Sequence, residues 1–112
     1  MPTNYKVLGQ SSPSSQTYTE LYQVPAGKEA VLSTITVCNA TASATSYRLG
    51  ITASATAASA IALSEIIAFN ATVPANDTSA LTLGITLNDR RKLIGYGNSA
   101  SVVFGVFGSE IS

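Results

Sequence analysis

Apolar side chains along this chain recur mostly at every second residue, the spacing of strands with one buried face. The clearest run, Ala30-Val31-Leu32-Ser33-Thr34-Ile35-Thr36-Val37-Cys38, is rich in β-branched residues that suit a pleated surface. Unbroken alternation places Val31, Ile35 and Val37 on one face of this strand and Leu32, Thr34, Thr36 and Cys38 on the other. Before it stands Val24-Pro25-Ala26-Gly27-Lys28, the layout of a type II turn, with Pro restricting φ and Gly free to take φ > 0. After it stands Asn39, an Asx-turn residue. The same order returns in Val73-Pro74-Ala75-Asn76-Asp77, followed by Leu81, Leu83, Ile85 and Leu87 in alternation with Thr82, Gly84 and Thr86, and closed by Asn88. This echo predicts two comparable core strands, each introduced by a tight turn.

Around these units the pattern is shorter-ranged. Residues 5–9 predict a short strand, and the Ser/Pro-rich residues 10–16 a flexible linker that lets it reach away from the body. Residues 17–24 alternate, with Tyr18, Glu20 and Tyr22 on one side and Thr17, Thr19, Leu21 and Gln23 on the other. Pro25 ends them because it cannot donate to a ladder. Tyr47, Leu49 and Ile51 mark another half-buried strand. The Ala-rich residues 53–60 carry little pattern. Residues 57–69 fit a short amphipathic helix or a strand; Ile66-Ile67 and the turn chemistry beyond Phe69 favour a strand over 61–69. A polar turn at 88–92, a short strand at 93–96 and a hairpin loop at 97–99 lead to a final strand over 101–110. That strand is apolar on both faces, with Val102, Phe104 and Val106 on one and Val103 and Phe107 on the other, as expected for a central strand or one covered by a partner. About eight short strands with no convincing helix predict an all-β, single-domain antiparallel β-sandwich, jelly-roll-like or immunoglobulin-like. Residues 1–16 form its arm and 17–112 its body.

Composition changes this picture in one respect. Of the 112 residues only 11% are charged, against about 25% in an average domain, and the formal net charge is zero. Ser, Thr and Ala replace the charges, giving a surface that repels weakly and loses little on desolvation. Such a surface points to an assembled state. The balanced charge leaves no footprint for a nucleic acid, and no apolar run approaches the length of a membrane span. The N-terminal residues lack the basic-then-apolar layout of a signal peptide, so a cytosolic origin is expected.

Candidate chemistry is sparse. The chain has no His, which removes His-based acid–base catalysis and the usual zinc sites, and no cofactor is expected. The carboxylates Glu20, Glu29, Glu65, Asp77, Asp89 and Glu110 share no short motif, and the many hydroxyls lack a His base, so no catalytic residue is assigned. Cys38, the single cysteine, reads as a small buried hydrophobe. Asn39, Asn70 and Asn76 fit the glycosylation pattern and are read as turn residues. Asp89-Arg90-Arg91-Lys92 is the one charge cluster, either a grip for an acidic patch on a neighbour or a solvated turn. Tyr5, Tyr18, Tyr22, Tyr47 and Tyr96 suit either a sugar-binding or interface surface or the core.

Five segments carry a resemblance: Tyr5-Lys6-Val7-Leu8-Gly9-Gln10-Ser11, Leu21-Tyr22-Gln23-Val24-Pro25-Ala26-Gly27, Ser33-Thr34-Ile35-Thr36-Val37-Cys38-Asn39, Val73-Pro74-Ala75-Asn76-Asp77-Thr78 and Phe107-Gly108-Ser109-Glu110-Ile111. Spread over residues 5–111, they resemble small virion structural proteins of tailed bacteriophages, cyanophages among them. The resemblance implies a non-enzymatic capsid decoration or cement protein, assembled in the host cytoplasm and bound to the major capsid protein as a homo-oligomer, with a trimer the expected form. The runner-up is a tail, baseplate or fibre component whose tyrosines contact a host glycan. The arm residues Tyr5, Lys6, Val7 and Leu8 and the turn residues Asp89, Arg90, Arg91 and Lys92 are the expected partner contacts, the arm acting by strand addition.

Overall fold

A computed structural model describes residues 3–53, 56–82, 84–99 and 101–111, the side chains of residues 3–6 and 58 excepted. Among the described residues there are nine strands: β1 (Thr3–Ser11), β2 (Thr19–Gln23), β3 (Glu29–Asn39), β4 (Thr45–Thr52), β5 (Ile66–Val73), β6 (Thr78–Leu81), β7 (Ile85–Leu87), β8 (Lys92–Gly97) and β9 (Val102–Ile111). Two single 3₁₀ turns, Ala58–Ala60 and Leu63–Glu65, precede β5. The strands form two antiparallel sheets packed face to face, a β-sandwich. The five-stranded sheet runs β1-β9-β3-β6, with β7 also paired to β3; the four-stranded sheet runs β2-β8-β4-β5.

The core lies between the sheets. Leu32, Ile35, Val37, Val102, Phe104 and Val106 enter it from one side and Leu21, Tyr22, Tyr47, Leu49 and Leu93 from the other. Tyr47 and Phe104 meet across it edge to face, their ring centroids 6.2 Å apart. Tyr22 adds a polar tie: its hydroxyl on β2 donates to a Glu110 carboxylate oxygen on β9 at 2.5 Å, joining the two sheets through buried groups.

On β3 and β2, β-bulges overturn the strict alternation expected there. On β3 the pairing with β9 slips between Leu32 and Thr34, leaving Ser33 unpaired in the ladder. Ala30 and Leu32 therefore face the core together with Ile35 and Val37, and Val31 moves to the outer face. The expected grouping of Val31 with Ile35 and Val37 is wrong for this reason. On β2 a second bulge leaves Leu21 unpaired, so that Leu21 and Tyr22 both turn inward while Tyr18 and Glu20 stay outside. The expected aromatic face of β2 is split in two.

Three further expectations are corrected. The 97–99 loop is no hairpin: β8 belongs to the four-stranded sheet and β9 to the other, so the chain crosses the sandwich there. The strand expected over 61–69 begins at Ile66 and runs through Asn70 to Val73. Asn70 is thus a bulge residue with φ 53° rather than a turn. Cys38 is half-buried on the outer face and not a core residue. The expected central placement of the last strand holds, since β9 lies between β1 and β3. The first strand extends beyond 5–9 and pairs with β9 from Thr3 to Ser11, as an edge strand of the sheet.

The two echoed units share their turns and differ in their strands. Lys28 N–H donates to Pro25 C=O at 3.2 Å, and Gly27, the third residue of that turn, has φ 78°. Asn76 stands at the matching point of the second unit with φ 53°. Yet the first unit continues into one eleven-residue strand with neighbours on both sides, whereas the second breaks into β6 and β7, both paired to β3. The break includes Gly84 at φ 61°; Leu83, expected in the alternation, lies outside the described residues. The second unit therefore supplies two short edge strands and not a second core strand.

Each unit's opening turn is held by the turn that closes the other. Val24 N–H donates to Arg91 C=O, Gly27 N–H to an Asp89 carboxylate oxygen, and Gln23 Nε2 to Arg90 C=O. At the opposite end Asn39 N–H donates to Asp77 C=O at 2.8 Å and Asn76 N–H to Thr41 C=O at 2.9 Å. Asn39 is the fastener there, only 1% exposed. Its Nδ2 donates to the carbonyls of Ser43 (2.8 Å), Val73 (3.2 Å) and Pro74 (3.1 Å), and its Oδ1 accepts from Thr41 N–H and Oγ1.

Candidate functional site

With the core filled, the surfaces left to act are the outer faces of the two sheets. On the five-stranded sheet the outer face carries Val7 from β1, Val103 and Phe107 from β9, and Thr34, Thr36 and Cys38 from β3. Val7 stands opposite Phe107, Phe107 opposite Thr34, and Val103 opposite Cys38, so these side chains form one continuous strip. Val7 is 54% and Val103 38% exposed. None of the six is acidic or basic.

The outer face of the four-stranded sheet is built differently. Ile94 is buried although it lies outside the inner core. Opposite it on β4 is Gly50, where a side chain would collide with the Ile61 side chain. Residues 56–65, which take in part of the Ala-rich 53–60 stretch and the start of the strand expected over 61–69, fold over this face as a lid. Lys92 Nζ donates to Thr56 C=O at 3.1 Å and lies 3.6 Å from Glu20. The Glu65 carboxylate accepts from Ala62 N–H at 3.0 Å and Thr52 Oγ1 at 2.9 Å. These bonds, the backbone one foremost, hold the Glu65 carboxyl below the usual carboxylate range.

Beyond the lid the same face carries an arginine set among aromatic rings. Pairing of β4 with β5 skips from Tyr47–Ala71 to Leu49–Ala68, so Phe69 and Asn70 together stand opposite Arg48. The bulge, with Asn70 in the left-handed region, brings both side chains onto Arg48. The guanidinium carbon lies 4.2 Å from the Phe69 ring centroid and 4.4 Å from that of Tyr96. Nε donates to Asn70 Oδ1 and Nη1 to the Tyr18 hydroxyl, both at 2.8 Å. Tyr18 and Tyr96 touch, with centroids 4.7 Å apart. The cluster offers ring faces and N–H donors at an open surface, the means of recognition by stacking and hydrogen bonding.

The expected contact residues are dispersed. Asp89 is engaged by the Gly27 turn and lies 3.6 Å from Arg90. Arg90 and Arg91 are exposed, and Lys92 turns under the lid. Val7 points outward and Leu8 packs against the core; the backbones of Tyr5 and Lys6 pair with Ser109 and Gly108, and their side chains lie outside the description. Among the described residues no hydrogen bond or ion pair joins Val7 or Leu8 to the 89–92 turn. The tyrosines divide between the two roles left open for them. Tyr22 and Tyr47 are buried, and their phenols are pushed up by that burial, with Glu110 adding to the effect at Tyr22. Tyr18 and Tyr96 belong to the Arg48 cluster.

Compared with protein-family models, with curated proteins and with solved structures, the chain finds no match in any of the three. Among the described residues there is no pocket, no metal-binding group of His, Cys, Asp or Glu, and no helix long and apolar enough to cross a membrane. Sequence reasoning missed the Arg48 cluster because its members come from four separate strands and linkers. The available signal was Arg48 itself, the one charge within the alternating run of β4.

Proposed function

We propose that this chain is a non-enzymatic structural protein of a tailed-bacteriophage virion, a decoration or cement protein that docks on the major capsid protein and stabilises the shell. The observation that carries this reading is the uncharged outer strip in which exposed Val7 and Val103 flank half-buried Phe107, Thr34, Thr36 and Cys38. Docking such a strip removes apolar and hydroxyl surface from water without stranding a charge. The resemblance of residues 5–111 to virion structural proteins supports it independently. Weak contacts of this kind gain strength by repetition over a symmetric shell, and a homotrimer seated at a threefold position presents several strips at once. The open edge of β1, residues 3–11, offers a further contact by strand addition, and Arg90 and Arg91 supply charge at the end of the sandwich.

A second reading, a tail or fibre component that contacts host glycan, is favoured by the Arg48 cluster alone. Copy number separates the two. A stoichiometry comparable to that of the major capsid protein in gel densitometry of purified particles is the expected result. A few copies per particle would overturn the decoration role in favour of the tail.

A further inference from the structure

Arg48 is a half-buried cation with no anionic partner among the described residues. Its bonded neighbours, Asn70 and the Tyr18 hydroxyl, are neutral, and among the described residues no carboxylate lies within ion-pair distance. A guanidinium has five N–H donors. Asn70 and Tyr18 take one each, and the others have no partner among the described residues. The Phe69 and Tyr96 rings face the guanidinium but take none of its N–H donors, so it keeps an attraction for an anion. The planar donor edge suits a carboxylate, which can accept two parallel hydrogen bonds. Beside this edge the Phe69 ring is 53% exposed and Ile67 45% exposed, so a flat apolar surface continues from the cation.

We propose that the outer face of the four-stranded sheet binds carboxylate-bearing saccharides, such as uronates, through Arg48 and the Phe69 ring. The Arg48 donors pair with the sugar carboxylate. The C–H face of the pyranose ring lies on Phe69, whose exposed apolar ring would otherwise face water. A ring-free acidic peptide such as an oligoglutamate would satisfy Arg48 equally well but has nothing flat to lay on Phe69, and this favours the saccharide. The Tyr18–Tyr96 contact and the Asn70 bond hold the guanidinium in place, so little side-chain freedom is lost on binding. The inference shares its ligand class with the second reading above but needs no particle, so a failed copy-number assignment leaves it untouched.

The test uses the purified full chain and a panel of matched probes: an oligouronate, a neutral glucan oligosaccharide of the same length, and an oligoglutamate of the same charge. Calorimetric titration should show the oligouronate binding at least about tenfold more tightly than either of the others. Arg48→Gln should lower oligouronate affinity to the neutral level, and Arg48→Lys should restore part of it. Phe69→Ala should weaken both saccharides alike. Circular dichroism checks that each variant is folded; if Arg48→Gln does not fold, the wild-type panel and Phe69→Ala still decide. Equal binding of oligoglutamate and oligouronate, equal binding of the two saccharides, an unchanged preference in folded Arg48→Gln, or no binding at millimolar concentrations would each overturn the proposal.

Discussion

One outer face of this sandwich carries an uncharged strip along Val7, Val103 and Phe107; the other is covered by a lid beside Ile94 and carries a cation at Arg48. The first gains by being covered broadly, since no side chain of the strip carries a charge. The second selects a small group through directed N–H donors beside a ring. The same frame serves both, because β-bulges at Ser33, Leu21 and Asn70 decide which side chains leave the core for which face.

A change to the frame must therefore remove both faces together. Replacing buried Asn39 with Ala takes the Nδ2 donor from the carbonyls of Val73 and Pro74 and leaves that of Ser43 only Thr41 Oγ1, at a cost of roughly 3 kcal/mol. Its echo Asn88 is exposed, and Asn88→Ala should stay within about 0.5 kcal/mol. Urea unfolding midpoints of the two variants check the contrast; equal midpoints would break it.

Alkali and acid should separate the faces again. The phenols of Tyr22 and Tyr47 are raised above the value of about 10 for an unfolded tyrosine. Their contribution is complete below pH 10. Above it the unfolded chain ionises while the folded chain holds its protons, so stability falls as pH rises and both faces go together. Glu65 shifts the other way. Its contribution is present above the unfolded pKa of 4.5 and fades as pH falls through its lowered folded value. Acid should thus loosen the lid first, raising amide exchange around residues 56–65 while β3 and β9 stay protected. The alkaline effect is the larger, and Tyr22→Phe should flatten it.

Much of the frame was legible in sequence. Period-two alternation, Pro25, Gly27 and the Asx chemistry of Asn39 each point to the element that forms, because each acts through its own backbone. The bulges were not legible: Ser33 and Leu21 look like ordinary strand residues, and their displacement arises from pairing with a distant strand. The Gly97-Asn98-Ser99 loop suits a hairpin locally, but the sheet that β9 joins is set by β1 and β3. For the same reason Arg48 could be seen only as a lone charge, since Tyr18, Phe69 and Tyr96 meet it through tertiary pairing. Residues 56–65 read wrongly in part as a strand because they follow the surface of the sheet rather than a period of their own.

Cys38, the single cysteine, sits on the uncharged face between Val103 and Thr78 and can report on it directly. Maleimide labelling of Cys38 should proceed in the free protein and slow several-fold once the protein is bound to capsid shells. An unchanged labelling rate on fully occupied shells would contradict the claim that this face is the one that docks.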